Sequence, residues 1–310
     1  MKTYIIVNPA SSGGATQKSW PVINEKLRIA LPAFDSVYTE YRGHATDLTR
    51  QALLAGYKRI IAVGGDGTIN EVVNGFFDGE RRIAPEAQLG MLDAGTGGDF
   101  RRNIGLGESL DEQISAITSG LTKELTLGLA KFVNEEGQFH SRYFVVICSF
   151  GISGDINNYV NKLPILKRHG SGAAFAIATL KCLFSYVNAP VSIALNGEPL
   201  YQGPLLVGAA SNGPWTGGGM MMAPKADSFS PELDFVVAED LNLFESLMVF
   251  PSIYNGSHIL RPKVHYKKGE KLVVEPQGGV KVTADMDGDV VGYLPLEIET
   301  RPAAISVLTG

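Results

Sequence analysis

The chain has 310 residues, 45% of them hydrophobic and 19% charged, with a formal net charge of -5. That length suits two domains, that composition suits a globular protein with a sizeable core, and the acidic balance offers no basic tail for nucleic acid. Two cysteines in apolar surroundings, Cys148 and Cys182, argue against a disulfide framework or a zinc site, and no apolar run approaches the roughly 20 residues that span a bilayer.

In chain order, residues 4–7 read as a first strand, then a glycine-serine loop over 8–14 and a helical stretch to about residue 31. A strand is expected at 36–39, a helix at 44–55, a strand at 60–63, a helix at 68–77 and a strand at 89–92. This alternation predicts a parallel sheet with helices on both faces and a ligand crevice beyond the carboxyl ends of its strands. Four loops rich in small and polar residues converge there: 8–14, 39–45, 64–68 and 93–99. The N-terminus runs directly into a strand without a signal-peptide pattern, so a cytoplasmic protein with at most peripheral membrane contact is expected.

Near residue 122 the composition changes. Strands are predicted at 143–150, 191–195, 204–210, 233–238, 272–275, 280–286 and 296–300, with helical inserts at 155–162 and 172–187. The expected division is an α/β domain over 1–122 and a β-rich domain over 123–300, with 301–310 returning to the first. The insert 172–187 is apolar on several faces and reads as core, with a lipid-facing role as the alternative.

The most informative stretch is Gly64-Gly-Asp-Gly-Thr68, set between an apolar strand and a helix. Glycines at such a turn allow positive φ and close ligand approach, and helix N-terminal amides favour anions. A phosphate site follows, and Asp66 within it makes sense if a magnesium ion lies between carboxylate and phosphate. Asp93-Ala-Gly-Thr-Gly-Gly-Asp99 repeats the same grammar one strand later. A second focus is Asp285-Met-Asp-Gly-Asp289, whose three carboxylates share one face if the strand is regular. It is not a calcium loop, because the glycine comes too early and Leu296 stands where the last ligand would be. A solvated turn at Asp287-Gly288 is the structural alternative.

Gly64-Gly-Asp-Gly-Thr68 with Asn70-Glu71 resembles the nucleotide motif of the diacylglycerol kinase catalytic family. The segment Gly95-Thr-Gly-Gly-Asp-Phe100, the turn Phe150-Gly-Ile-Ser-Gly154, the run Asn212-Gly…Gly217-Gly-Gly219…Pro224-Lys-Ala226 and Asp287-Gly288-Asp289 extend the likeness over nearly the whole chain. The resemblance implies an NAD kinase/phosphofructokinase-like nucleotide domain, a C-terminal β-sandwich, and an ATP- and Mg2+-dependent lipid kinase. It further implies nucleotide contacts from Asn8, Thr39, Gly64, Gly65, Asp66, Gly67, Thr68, Asn70, Glu71, Gly95 and Thr96, and metal binding by Asp66 and Asp99. Asp289 corresponds to the family's catalytic Glu, shorter by one methylene, and Asp287 would orient it or face the metal. Thr126 and Ser230 stand where the family often carries acids, Ser230 at a structural magnesium site. The expected partner is a membrane lipid met by peripheral contact, with no nucleic acid and with a homodimer left open. Two alternatives stay open: a catalytically weak or inactive nucleotide- or lipid-binding regulator, and a kinase for a small polar alcohol.

Overall fold

The structure is a computed structural model that describes residues 1–162 and 171–310. The chain folds as two units, Met1–Leu125 with Ala303–Gly310, and Thr126–Pro302.

In the first unit the strands Asp35–Tyr38, Thr3–Val7, Arg59–Gly64 and Gln88–Asp93 lie side by side in that order, all parallel. Residues Ser306 and Val307 add a parallel edge against Gln88 and Leu89. Ile60 to Val63 are wholly buried, as a parallel strand covered on both faces must be. The alternation of the strands sorts the coverage. Ile5, Val7, Ile61 and Val63 pack against Trp20, Ile23 and Leu27 of helix Ser11–Ala30 and Ile114 and Ile117 of helix Leu110–Ser119. Helices His44–Leu54 and Asp66–Gly75 pack on each other elsewhere in this unit.

The second unit is an antiparallel sandwich. One run of strands is Val264–Gly269, Leu233–Ala238, Val207–Ser211, Ile147–Gly151 and Thr283–Met286. Another pairs Glu198–Leu205 with Ala189–Leu195, that with Lys271–Pro276, and that with the long strand Asp289–Leu308. Phe144, Phe150, Val191, Phe235, Val274 and Ile298 interlock between them. Helix Ile152–Lys162 and helix Ser171–Leu183 pack together and cover Val236, Ala238 and Val264.

Several boundaries differ from expectation for physical reasons. The predicted strand 143–150 is two strands, Phe139–Phe144 and Ile147–Gly151, because amides at 145–147 turn to a distant carboxylate. The predicted strand 204–210 breaks at Leu206, whose amide donates to Ala238 and Glu239 carbonyls instead of continuing a ladder. Strand Val264–Gly269 and helix Leu243–Val249 lack a clear periodic signal and were not expected. Both cysteines are buried and unpaired.

Candidate active site

The four loops of the first unit meet. Asn8 Nδ2 donates to Thr68 Oγ1 at 2.9 Å, and Ser12 Oγ donates to the Ala94 carbonyl at 2.5 Å. The Ala94 amide donates to the Gly64 carbonyl at 3.0 Å. Helix Asp66–Gly75 starts two residues before the predicted position, with Gly65 as its extended N-cap at φ -96°. Gly64, Gly65 and Gly67 all have φ outside the left-handed region, which corrects the expectation of positive φ at this turn. What the turn needs is room: a Cβ on Gly95 would lie 2.6 Å from Gly65 Cα. The two acidic turns therefore pack backbone on backbone. Left-handed conformation occurs instead in the first loop, where Ser12, Gly13 and Gly14 have φ of 52°, 64° and 90°.

A methyl group at Gly95 must push the two turns apart. Gly95→Ala is expected to lower stability by about 1–3 kcal/mol and to weaken ATP binding at least tenfold. Gly67 is exposed with nothing within 4 Å of its would-be Cβ. Gly67→Ala is expected to leave the melting temperature unchanged and to weaken ATP binding alone. Thermal melts and titration calorimetry check both.

The structure sorts the expected ligands. Thr68 sits in the helix's first turn beside Asn8, Thr39 is half-buried at the end of its strand, and Thr96 is exposed at a loop tip. Glu71 is corrected: its carboxylate accepts from the Gly43 and Ala45 amides at 2.9 and 3.2 Å. It caps the neighbouring helix His44–Leu54 and shapes the 39–43 loop rather than facing a ligand. Asn70 is corrected too, being wholly buried with its side-chain oxygen accepting from Asn74.

Three aspartates crowd this site. Asp93 pairs with Arg101 at 3.1 Å and receives the Gly95 amide at 3.0 Å, a nearly buried brace for the second turn. Neither Asp93 nor Arg101 was expected to matter, since their pairing leaves no mark on periodicity. Asp99 is buried and pairs with Arg102 at 2.9 Å. Asp66 has no basic partner among the described residues; it receives only the Asp99 and Phe100 amides at 3.3 and 3.0 Å. Burial, then Asp99 and more weakly Asp93, push its carboxyl up to about 7 against the pull of those amides. Among the described residues no cluster of three His, Cys, Asp or Glu side chains forms a metal cage. The donors do fit an ion that keeps waters and phosphate oxygens as ligands, with Asp66 as its carboxylate. Asp99, already held by Arg102, fits a direct metal contact less well than expected.

In the second unit the late acidic stretch is a tight hairpin, Met286 opposite Asp289, with Asp287 and Gly288 at φ 48° and 88° in a two-residue turn. The three carboxylates therefore do not share a strand face, which corrects the expectation of a regular strand. Asp287 points back into its own unit: Oδ1 accepts from Val146 and Ile147 and Oδ2 from Val145, each at 2.9 Å. It is a clamp that orients the hairpin, and a direct role on metal is corrected. Asp289 is half-buried, 3.5 Å from Arg142 Nη2. Thr126 Oγ1 donates to the Ser230 carbonyl at 2.6 Å, so the two positions that lack the expected acids are partners.

Asp285 is buried; its Oδ1 accepts from Ser149 and Asn157, both at 2.8 Å, while its Oδ2 has no partner. Burial, opposed by the neighbouring Ser153 hydroxyl, Ser149 and Asn157 and aided by Asp287, pushes its carboxyl up to about 7. An unfolded aspartate titrates near pH 4. The native chain thus holds this proton more tightly, and the stability it contributes is full below about pH 4 and is lost as pH rises through about 7. Asp66 acts with the same sign. Unfolding free energy from urea titrations is expected to fall between about pH 5 and pH 7, by at most about 1.4 kcal/mol per pH unit per group. Asp285→Asn, which stays neutral, should remove about half of that fall.

Comparison with known proteins bears on what the loops of the first unit and the hairpin of the second serve. The family described as "Diacylglycerol kinase catalytic domain" matches residues 2–130, and "YegS C-terminal NAD kinase beta sandwich-like domain" matches residues 146–309. The chain belongs to the family of the YegS C-terminal domain, whose model covers more than half of it, and its residues 2–130 match the diacylglycerol kinase catalytic domain. It is 27% identical to a diacylglycerol kinase of Bacillus subtilis, over 96% of this chain and 92% of that one. It is 25% identical to one of Staphylococcus carnosus, over 99% and 95%. The fold matches a crystal structure of a diacylglycerol kinase from Bacillus anthracis with a TM-score of 0.71, at 20% identity over 100% of this chain and 97% of that one. Yeast NADH kinase shares the fold at a TM-score of 0.56, at 11% identity over 99% of this chain and 82% of that one. The domain matches and the lipid kinases among its relatives place the chain in a lipid kinase family, and no described helix is long and apolar enough to cross a membrane.

Proposed function

We propose that the chain transfers the γ-phosphoryl group of ATP, with Mg2+, to a hydroxyl of a diacylglycerol-like membrane lipid. The observation that carries this reading is Asp66, a carboxylate without a basic partner at the head of a helix, beside turns packed as closely as Gly65 and Gly95. Such a carboxylate suits a divalent cation arriving with phosphates. The names of the relatives point to the acceptor.

Amides around Gly65–Thr68, the Thr68 and Thr96 hydroxyls and the Asn8 side chain bind and orient the phosphates; Thr39 flanks the nucleotide. Glu71, Asn70, Asp93 and Arg101 position these loops without touching ligand. Asp66, with support from Asp99, would hold the Mg2+, which would supply charge neutralisation for the transferring group. Asp289 accepts the proton of the acceptor hydroxyl as its oxygen bonds to the γ-phosphorus and the bond to the ADP oxygen breaks. Asp287 holds Asp289 in place. Most of the rate comes from positioning and charge neutralisation, with the base contributing less.

The test is Mg2+-dependent transfer from labelled ATP to a panel of lipids in mixed micelles: diacylglycerol, phosphatidylglycerol and a sphingoid base, with glycerol as a polar control. Labelling of diacylglycerol is expected. Labelling of glycerol alone, or of nothing while ATP binds, would overturn the reading.

A further inference from the structure

Exposed apolar side chains in the second unit gather on its helical stretches. Of the eleven exposed large hydrophobics among its described residues, nine lie on helix Ser171–Leu183 and the segment after it, helix Leu243–Val249, and the short helices over 250–260; the other two are Phe139 and Val280. Phe184 is 71% exposed, Phe244 73%, Met248 55% and Leu260 79%. The spacing is that of two outward faces: Ile177, Leu180 and Phe184 at i, i+3 and i+7, and Phe244 and Met248 at i and i+4. The inner faces of the same helices are already satisfied, Ala178 and Cys182 joining Leu241 and Val249 in one buried cluster. The helices pack on one another, so the outer residues form one surface. A contiguous apolar surface of this kind marks an interaction site.

The rim tells what meets it. Lys181, Lys225 and Arg261 are exposed around this face. Of the acids nearby, Glu245 pairs with Lys263 at 2.8 Å and Glu239 bonds to His265 at 2.5 Å, while Asp155 and Asp240 are exposed. In a chain of net charge -5, this face presents cations around exposed Phe, Leu and Met. That combination fits an interface of apolar tails and anionic headgroups. The surface also connects to the acidic hairpin within its own unit. Helix Ile152–Lys162, on which helix Ser171–Leu183 packs, sends Asn157 to Asp285 and Asn161 to the Gly288 carbonyl.

We infer that this helical face, centred on Phe184 and Phe244, docks the chain on an anionic membrane and delivers the acceptor lipid to the Asp289 hairpin. The inference rests on the lipid-kinase reading for its purpose, but docking itself is measurable without ATP. Flotation of the full chain with vesicles of equal parts phosphatidylcholine and phosphatidylglycerol tests it. The double variant Phe184→Ser/Phe244→Ser is expected to bind at least about tenfold more weakly, since each ring loses its apolar burial. Lys181→Glu/Lys225→Glu should weaken binding to these vesicles and not to pure phosphatidylcholine. Phe139→Ser, an exposed ring away from this face, should bind as wild type. Activity of the Phe variant should fall on vesicle-borne lipid and persist on a water-soluble short-chain diacylglycerol. Unchanged flotation of the Phe variant would overturn the inference. So would a wild-type dimer that the Phe variant converts to monomer while flotation is retained, which would assign the face to a second copy. Docking lost as expected in a protein that phosphorylates no lipid would leave the surface standing and sink the kinase reading instead.

Discussion

Asp289→Asn is expected to lower kcat on the acceptor lipid by about 10²–10⁴-fold while leaving the KM for ATP nearly unchanged. The amide keeps the shape of the carboxylate and cannot take a proton. The nucleotide loops belong to the other unit and contain none of the residues that hold this hairpin. Stability should hardly move. Asp289 is half-buried, and its pairing with Arg142 at 3.5 Å is of the partly exposed kind worth about 0–1 kcal/mol. The measurement is initial rate against both substrates, with a melting curve beside it. A residual rate above background is expected, because positioning and charge neutralisation remain. A fall of less than about tenfold, with the fold intact, would remove Asp289 from the role of base.

The first unit was largely legible because its strands announce themselves. Ile60–Val63 is an uninterrupted apolar run that ends in glycines, and nothing but a strand covered on both faces accommodates it. The convergence of its loops also followed from topology alone. What the chain order hid was which polar residue serves which loop. Glu71 looks like part of the phosphate motif, yet it faces the amides of Gly43 and Ala45, 28 and 26 positions away in sequence. Asp93 and Arg101 lie in one short segment, but only the fold shows that their buried pairing braces the second turn. The glycines at 64–67 matter for reasons other than positive φ: Gly65 packs on Gly95, Gly64 leaves room for the Thr68 side chain, and Gly67 is open to solvent.

The second unit was harder, since short antiparallel strands carry weak local signals and their breaks are imposed from afar. Residues 143–150 are apolar throughout and read as one strand; the break at Val145–Val146 is made by a carboxylate about 140 residues later. The same residue defeats the alternation argument for the acidic stretch. With Asp287 in a left-handed turn conformation, period two stops and the three carboxylates take three environments: buried, clamping and half-exposed.

That clamp makes the second large prediction. Asp287→Ala is expected to destabilise the chain by about 3–5 kcal/mol, with Asp287→Asn losing about 1–2 kcal/mol. Three backbone amides donate to this one carboxylate, and bonds to a charged acceptor are worth about 1.5–3 kcal/mol each, though not additively. Alanine supplies no acceptor and also resists the φ of 48° at this position, whereas Asn accepts at one oxygen and tolerates the left-handed region. Urea unfolding gives the free energies, and amide hydrogen exchange at 145–147 locates the loss. Activity should fall in the same order, alanine further than asparagine, because a loosened hairpin no longer holds Asp289 where an acceptor hydroxyl can reach it. The two aspartates are thereby separable: Asp289→Asn removes activity from a stable protein, while Asp287→Ala removes both together. If Asp287→Ala melted like wild type and only its rate collapsed, Asp287 would be a reacting group rather than the anchor its three amides make it.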